Sequence, residues 1–158
     1  MRKRIIPSAE EVTPTSGGDW LDLEAIAEVE ITSEDPAHPV ESALIPGGEA
    51  SGWRALGPGE QVIRLLFTQP QPLHRIWLEF VEPTVERTQE FVLRWSPDRG
   101  QTLHEVVRQQ WNFSPHGATR QTEDHRVELR GVTLLELRIV PDIGGGTAHA
   151  SLAQLRIA

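Results

Sequence analysis

Four glutamates lie close together in the middle of the chain, at Glu79, Glu82, Glu86 and Glu90. Two carboxylates that face each other across a cleft are what glycoside hydrolysis requires. Arg87 and Arg94 occur in the same stretch, however, and solvated cross-strand ion pairs explain the pattern more simply than a catalytic pair does. Arg87 also has binding chemistry of its own, because its planar guanidinium can address vicinal hydroxyls, a carboxylate or a phosphate. We expect Glu82, Glu86 and Arg87 to contact a polar ligand.

Aromatic and imidazole side chains supply the other candidate binding residues. Trp111 lies in segment 108–115 and could offer a stacking surface to a sugar ring or a partner side chain. The alternative is that Trp111 and Phe113 close the open end of the core. His116 and His149 lie in two later connections, where polar contact or weak stacking on a ligand is expected. None of the six histidines has the spacing His-x-His or His-Glu-x-x-His, so no metal site is predicted.

Motifs for covalent catalysis or cofactor binding are missing from the sequence. It contains no cysteine, no Gly-x-Ser-x-Gly elbow, no phosphate-binding Gly-Lys-Ser/Thr loop and no dinucleotide fingerprint. Segment 96–102 fits the Asp-box pattern Ser-x-Asp-x-Gly-x-Thr, in which Asp98 accepts turn amides and Gly100 adopts a positive φ. Because that pattern stabilises hairpin turns in unrelated β proteins, it does not indicate catalysis. The sequence predicts a binding protein that is not an enzyme and needs no cofactor.

Charge and composition limit the class of partner. The 158 residues include 15 Lys and Arg against 23 Asp and Glu, a net charge of −8, which disfavours nucleic acid and anionic membranes. Binding to nicked DNA would require five arginines to cluster on one face: Arg87, Arg94, Arg108, Arg120 and Arg126. The basic start of the chain is not followed by the apolar stretch of a secretory signal, so we expect a cytoplasmic protein.

The elements that must position these residues are short β-strands. Apolar and polar residues alternate with a period of two in segments 63–67, 76–80, 91–95, 127–129, 135–139 and 155–157. The same alternation in segment 21–31 indicates an earlier strand, at least from Glu28 onward, although Asp19 could cap a short helix before it. Segment 40–44 is expected to form one helical turn. Turn sequences separate the strands without any strand–helix alternation, so the pattern predicts an all-β antiparallel sandwich or jelly roll.

One domain, residues 20–158, is expected after a flexible N-terminal arm of residues 1–19 that is rich in Pro, Gly and Ser. In an antiparallel arrangement every second connection emerges at the same end of the sandwich. Three short turns then share one end: 69–72, 96–100 and 130–131. Three longer connections share the other: 81–88, 112–124 and 141–148. Because scaffolds carry binding residues on such loops, we expect the ligand at the long-loop end.

Several segments occur in an order and spacing typical of one family. They are Glu30-Ile-Thr-Ser33, Gly52-Trp53, Gln61-Val-Ile-Arg-Leu-Leu-Phe67, Phe91-Val-Leu-Arg-Trp-Ser-Pro-Asp-Arg-Gly100 and Ser151-Leu-Ala-Gln-Leu-Arg-Ile157. Together they resemble the discoidin, or coagulation-factor type C, domains of the galactose-binding-like superfamily. The run Trp53-Arg-Ala-Leu-Gly-Pro-Gly-Glu-Gln-Val-Ile63 is also similar to the N-terminal domain of eukaryotic single-strand-break repair scaffold proteins, which belongs to the same superfamily.

The resemblance implies a jelly-roll sandwich of about eight strands that binds its ligand through loops at one end. It implies sugars in many bacterial members, phospholipid or protein in others, and damaged DNA in the repair scaffold. Many members hold a structural calcium, but the matching positions here are Pro46-Gly47, Ala50 and Gln154. These residues lack the carboxylates that calcium needs, so no family-type calcium site is expected.

We therefore expect a non-catalytic module that binds a carbohydrate or a similar polar ligand. The candidate binding residues are Glu82, Glu86, Arg87, Trp111, His116 and His149. The alternative is an intracellular module for protein–protein interaction that uses the same loops, and nicked-DNA binding is a third and weaker hypothesis. A flat apolar patch would favour a protein partner, whereas a concave polar pocket would favour a small ligand.

Overall fold

The computed structural model describes residues 20–46 and 52–158 of the chain. Within these ranges the chain forms two helical turns and eight strands. In chain order they are α1 (Leu23–Ile26), β1 (Ala27–Ile31), α2 (Glu41–Leu44), β2 (Trp53–Pro58), β3 (Gln61–Val81), β4 (Arg87–Ser96), β5 (His104–Phe113), β6 (Arg120–Val140), β7 (His149–Leu152) and β8 (Gln154–Ile157). Neither helical turn, of four residues each, could cross a membrane, and no other helix occurs in the described part of the chain.

Two long strands, β3 and β6, organise the fold. They pair antiparallel along their whole length, from Gln61 opposite Ile139 to Val81 opposite Arg120. The first half of this ribbon lies in a sheet of strand order β1-β3-β6-β4-β5, and β8 pairs with the second half of β3. β2 and β7 form a separate two-stranded sheet. The all-β antiparallel sandwich predicted from the sequence is confirmed.

The core explains why the ribbon bends. Apolar residues from both halves of β3 are buried in one cluster: Ile63, Leu65, Phe67, Ile76, Leu78 and Phe80, each no more than 1% exposed. These six positions are odd-numbered from 63 to 67 and even-numbered from 76 to 80. The pairing register shifts between Leu66 and Arg75, and these irregularities change which side chains face inward. The two halves therefore bury their apolar faces against the same core.

The bend corrects one expectation about turns. Segments 69–72 and 130–131, expected to be turns between separate strands, lie inside β3 and β6. Backbone pairing continues through the bend, with Gln71 opposite Val132, and Gly131 accommodates it with a φ of 65°. The predicted grouping of connections nevertheless holds: Ser96 pairs with Leu134 near the bend, while Arg87 pairs with Phe113 at the other end.

The beginning of the described chain takes the form in which a short helix precedes the strand. α1 precedes β1, and the strand starts at Ala27, one residue before the expected strand at Glu28. This single turn buries Leu23 to 5% exposure, a tertiary contact that outweighs the local alternation. α2 confirms the helical turn expected at 40–44. The predicted N-terminal arm, residues 1–19, lies outside the described residues.

The Asp box closes the hairpin between β4 and β5, as predicted. Asp98 Oδ1 accepts hydrogen bonds from the Ser96 hydroxyl at 2.6 Å and from the Thr102 amide at 2.7 Å. The Gly100 amide donates to Ser96 Oγ at 2.8 Å, and both Arg99 and Gly100 have positive φ, 58° and 96°. These bonds serve the turn itself and support the structural interpretation of the motif.

A row of alternating charge crosses the outer face of the five paired strands. From β1 to β5 the row is Glu30, Arg64, Glu136, Arg94 and Glu105. Glu136 is fully covered, and it accepts hydrogen bonds from Arg64 Nε and Arg94 Nε, each at 2.9 Å. Burial alone would raise the pKa of the Glu136 carboxyl, but the bonds from Arg94 and Arg64 outweigh burial and hold its pKa below the ordinary value.

Candidate functional site

Three connections meet at the end of the sandwich opposite the bend and are tied to their neighbours by backbone hydrogen bonds. They are residues 82–86, 114–119 and 141–148, and we call the surface they form the loop end. The Glu82 amide donates to the Thr119 carbonyl at 2.8 Å, which joins the first loop to the second. The Ile143 amide donates to the Thr88 carbonyl at 2.9 Å, which joins the third loop to β4.

Glu82 organises the first loop. Its Oε2 lies 3.3 Å from the Thr84 and Val85 amides and from the Thr84 hydroxyl, while its Oε1 accepts from Arg87 Nε at 2.9 Å. Burial by itself would raise the pKa of the Glu82 carboxyl, but the bonds from Arg87 and from the two amides keep that pKa below its ordinary value. The predicted ligand residue Glu82 is thus an ionised carboxylate that shapes its own loop.

Arg87 is fully buried, and its contacts are internal. Besides Glu82, its guanidinium donates from Nη1 to the Pro141 carbonyl at 2.7 Å and to Gln89 Oε1 at 3.1 Å. It also lies 4.8 Å from the centre of the Phe113 ring, a cation–π distance. The sequence led us to expect direct contact with a ligand. The geometry instead gives Arg87 a positioning role, because it ties the first loop to the third.

Trp111 and Phe113 lie on the same side of the β4–β5 pair as Arg87 and Gln89. Phe113 is 1% exposed and belongs to the core, whereas Trp111 is half-buried and packs against it. The alternative interpretation, in which these two side chains close the end of the core, therefore holds fully for Phe113 and in part for Trp111. Among the described residues, Arg87 Nη2 and Trp111 Nε1 are two of three buried side-chain polar atoms without a hydrogen-bond partner.

The remaining three candidates differ in exposure. Glu86 and His116 are exposed, in the first and second loops. His149 is half-buried at the start of β7, where its Nδ1 lies 3.1 Å from the Ala55 carbonyl oxygen. The structure therefore brings the six candidates to one end of the sandwich, but of the six only Glu86 and His116 are exposed there.

Sequence reasoning missed two features of this end. A buried amide pair supports the loops from below, with Gln89 Nε2 donating to Gln121 Oε1 at 3.2 Å. Exposed aliphatic side chains were also missed: Val85 is 43% and Ile143 50% exposed, and Leu56 is 64% exposed beside β7. One signal for the buried arginine was available, because Arg87 and Gln89 share the parity of the core residues Phe91 and Leu93.

The Glu82 carboxylate at the loop end lacks the lone, raised-pKa environment of a general acid. All five carboxyls with a shifted pKa in the described ranges, among them Glu82, are shifted downward. A general acid needs the opposite shift, because it must stay protonated near neutral pH. Glu82 is also bound by Arg87, so it lacks the freedom of a nucleophile.

Metal ligands do not cluster in the described part of the chain. No group of three or more His, Asp or Glu side chains there could hold a metal ion. Gly47 and Ala50, which match two of the family's calcium positions, lie outside the described residues. Gln154, the third, begins β8 opposite Glu79.

Comparison with solved structures shows the same fold in carbohydrate-binding modules. The family 32 module of C. perfringens NanJ, in complex with galactose, has a TM-score of 0.63 at 14% identity, covering 87% of this chain and 96% of that one. A Clostridium perfringens module in complex with GalNAc-β-1,3-galactose has a TM-score of 0.59 at 18% identity, with coverages of 87% and 98%. A pectin-binding module has a TM-score of 0.59 at 17% identity, with coverages of 84% and 89%.

Sequence comparison adds no family to this likeness. No protein-family model matches the chain, and no curated protein matches it either. At these identities the solved structures establish the fold only, which agrees with the antiparallel β-sandwich that the sequence predicted. The narrower resemblances to discoidin domains and to the repair scaffold are not confirmed.

Proposed function

We propose that this chain is a non-catalytic carbohydrate-binding module whose ligand binds at the loop end. The observation that carries the proposal is the chemistry of the loop tips. Glu86 and His116 offer polar groups for hydroxyls, and the neighbouring loops present exposed Val85 and Ile143, which can contact the C–H face of a sugar. Structures with the same fold in complex with galactose and with GalNAc-β-1,3-galactose support this ligand class.

The rigidity of the loops supports the same proposal. Arg87 joins the first and third loops, and the Glu82–Thr119 bond joins the first and second. Loops fixed in this way lose little conformational freedom when a ligand binds, so more of the contact energy remains as affinity.

Titration calorimetry with galactose and GalNAc-β-1,3-galactose tests the proposal. We expect Glu86→Ala and His116→Ala to weaken binding at least tenfold, because each removes a hydrogen-bonding group at the surface. His74→Ala and Glu128→Ala are matched controls, since both residues are exposed and lie toward the bend. Binding that survives both loop-end variants, or that falls equally in the controls, would place the ligand elsewhere.

A second candidate function, intracellular binding of a protein partner by the same loops, is favoured by one observation. Four large apolar side chains are exposed in the described ranges, and three of them, Leu56, Val85 and Ile143, lie at or beside the loop end. If the sugars do not bind, Val85→Asp and Ile143→Asp should abolish capture of a partner from lysate. Val29→Asp, on β1, is the control and should leave capture unchanged.

A further inference from the structure

β1 lies at the edge of the five paired strands, and it borders a groove of about 360 Å³. Ala27 and Val29 line the groove from β1, and Ile45 lines it from the end of α2. Val29 is 37% exposed and the other two residues are half-buried, so all three offer apolar surface to a ligand. The groove shares no residue with the loop end.

The backbone of β1 has unpaired hydrogen-bonding groups at this edge. The Thr32 amide donates to the Val62 carbonyl at 3.1 Å, one position beyond the last residue pair of β1 with β3. Because bonded pairs alternate along antiparallel strands, the even-numbered residues of β1 direct their amides and carbonyls toward β3. Val29 and Ile31 therefore direct theirs away from β3, and β1 pairs with no other strand in the described part of the chain. Such an edge can accept a further strand.

The groove carries negative charge without a compensating cation. Glu24 and Glu41 line it, and neither carboxylate has an ion-pair partner among the described residues. No arginine lines the groove, and the described ranges contain no lysine. Because complementary charge steers and orients binding, these carboxylates favour a ligand that carries Lys or Arg.

The charges on β1 itself disfavour a second copy of this chain as the added strand. A two-fold pairing of β1 with another β1, centred on Val29, would put Glu28 of each copy opposite Glu30 of the other. A pairing centred on Glu28 or on Glu30 would put that glutamate opposite its own equivalent. Like charges directly opposite each other destabilise a strand pair, whereas Lys or Arg at these positions of an added strand would stabilise it.

We propose that the edge of β1 binds an extended segment of a partner protein in which basic and apolar residues alternate. The segment adds a strand that bonds to the free backbone groups of Val29 and Ile31. Its apolar side chains face the groove and contact Val29 and Ile45, because side chains alternate between the two faces of a strand. Its Lys or Arg side chains face the exposed Glu28 and Glu30 on the outer face.

Hydrogen exchange and titration calorimetry with the peptide acetyl-Lys-Val-Arg-Val-Lys-Val-amide test the proposal. We expect the peptide to slow exchange of the Val29 and Ile31 amides, and to bind Val29→Pro at least tenfold more weakly than the wild type. Because the Val29 amide does not bond to β3, proline there removes the edge donor and leaves the sheet intact. Val29→Thr keeps the amide and the β-branched shape, so it should retain most of the binding.

A second pair of variants tests the charge. Glu41→Gln should weaken peptide binding several-fold and reduce its dependence on salt, because one attractive charge is lost. Glu128→Gln, the same change at an exposed position near the bend, is the matched control and should have no effect. Binding at the loop end, whether of galactose or of a protein, should be unchanged in all these variants, since the β1 edge is separate from it.

Several results would overturn the proposal. They are failure of the peptide to bind, equal binding by wild type and Val29→Pro, and equal binding of a peptide in which Glu replaces every Lys and Arg. If the Val29 and Ile31 amides already exchange slowly in the monomer without peptide, other residues of this chain cover the edge. A dimer that Val29→Pro dissociates would assign the edge to a second copy instead.

Discussion

Arg87→Ala should be among the most damaging single changes at the loop end. It removes the partner of Glu82, whose side chain is 14% exposed, and also the donor to the Pro141 carbonyl. Breaking a buried ion pair from one side costs about 3–5 kcal/mol. Because Glu82 keeps its bonds from Thr84 and Val85, we expect the lower end, about 3 kcal/mol. At about 2–4 °C per kcal/mol for a domain of this size, Tm should fall by roughly 6–12 °C.

Urea denaturation followed by circular dichroism, together with thermal melting, measures this loss directly. Arg120→Ala is the matched control, because its partner Glu79 is 13% exposed, as covered as Glu82, whereas Arg120 itself is 59% exposed. Solvent screens a pair with one exposed partner, so this change should cost clearly less stability than Arg87→Ala. Arg87→Lys keeps the charge but not the planar set of donors, so its loss of stability should lie between those of Arg120→Ala and Arg87→Ala. If Arg87→Ala costs no more than Arg120→Ala, the buried guanidinium does not hold the loops together and the reasoning is refuted.

Two further changes probe the backbone and the outer face. Gly52 and Gly59 have nearly equal φ, 92° and 91°, but a Cβ on Gly52 would lie 2.4 Å from the Leu152 carbonyl oxygen, whereas nothing lies within 4 Å of one on Gly59. Gly59→Ala should lower the free energy of unfolding by about 1–2 kcal/mol, and Gly52→Ala should lower it clearly more. Equal decreases of Tm in the two variants would contradict this. The lowered pKa of Glu136 adds stability that is present above its ordinary pKa of 4.5 and is lost as pH falls through the lower folded value. The urea concentration at the midpoint of unfolding should therefore decrease as the pH is lowered below about 4.5. If this midpoint decreases as steeply with pH in Glu136→Gln, Glu136 does not contribute to the pH dependence.

The sequence patterns predicted local structure well and strand continuity poorly. Alternation over 63–67 and 76–80 identified residues that are at most 1% exposed, because the side-chain period of a strand is a local property. Prolines and glutamines at 69–72 look like a turn for equally local reasons. Their place inside β3 depends on pairing of Gln71 with Val132, about sixty residues away, which no local pattern contains.

The candidate site shows the same division between local and distant causes. The grouping of the long loops at one end followed from antiparallel order, but the burial of Arg87 depends on the Pro141 carbonyl, 54 residues along the chain. The outer charged row is a further case: Glu136 meets Arg94 and Arg64 only through the registers of β4 and β3 with β6. The sequence indicated cross-strand ion pairs near Arg94 without identifying this glutamate, because register is set by the whole sheet.

The third loop of the loop end takes its support from β6. Pro141, the first residue after β6, accepts the hydrogen bond from Arg87 that fixes this loop. A change at Arg87 therefore alters the support of the loop end, and lost binding in an Arg87 variant would not locate a ligand. An exposed residue such as Glu86 locates it, because Glu86 can be changed while the buried network beneath the loop end stays intact.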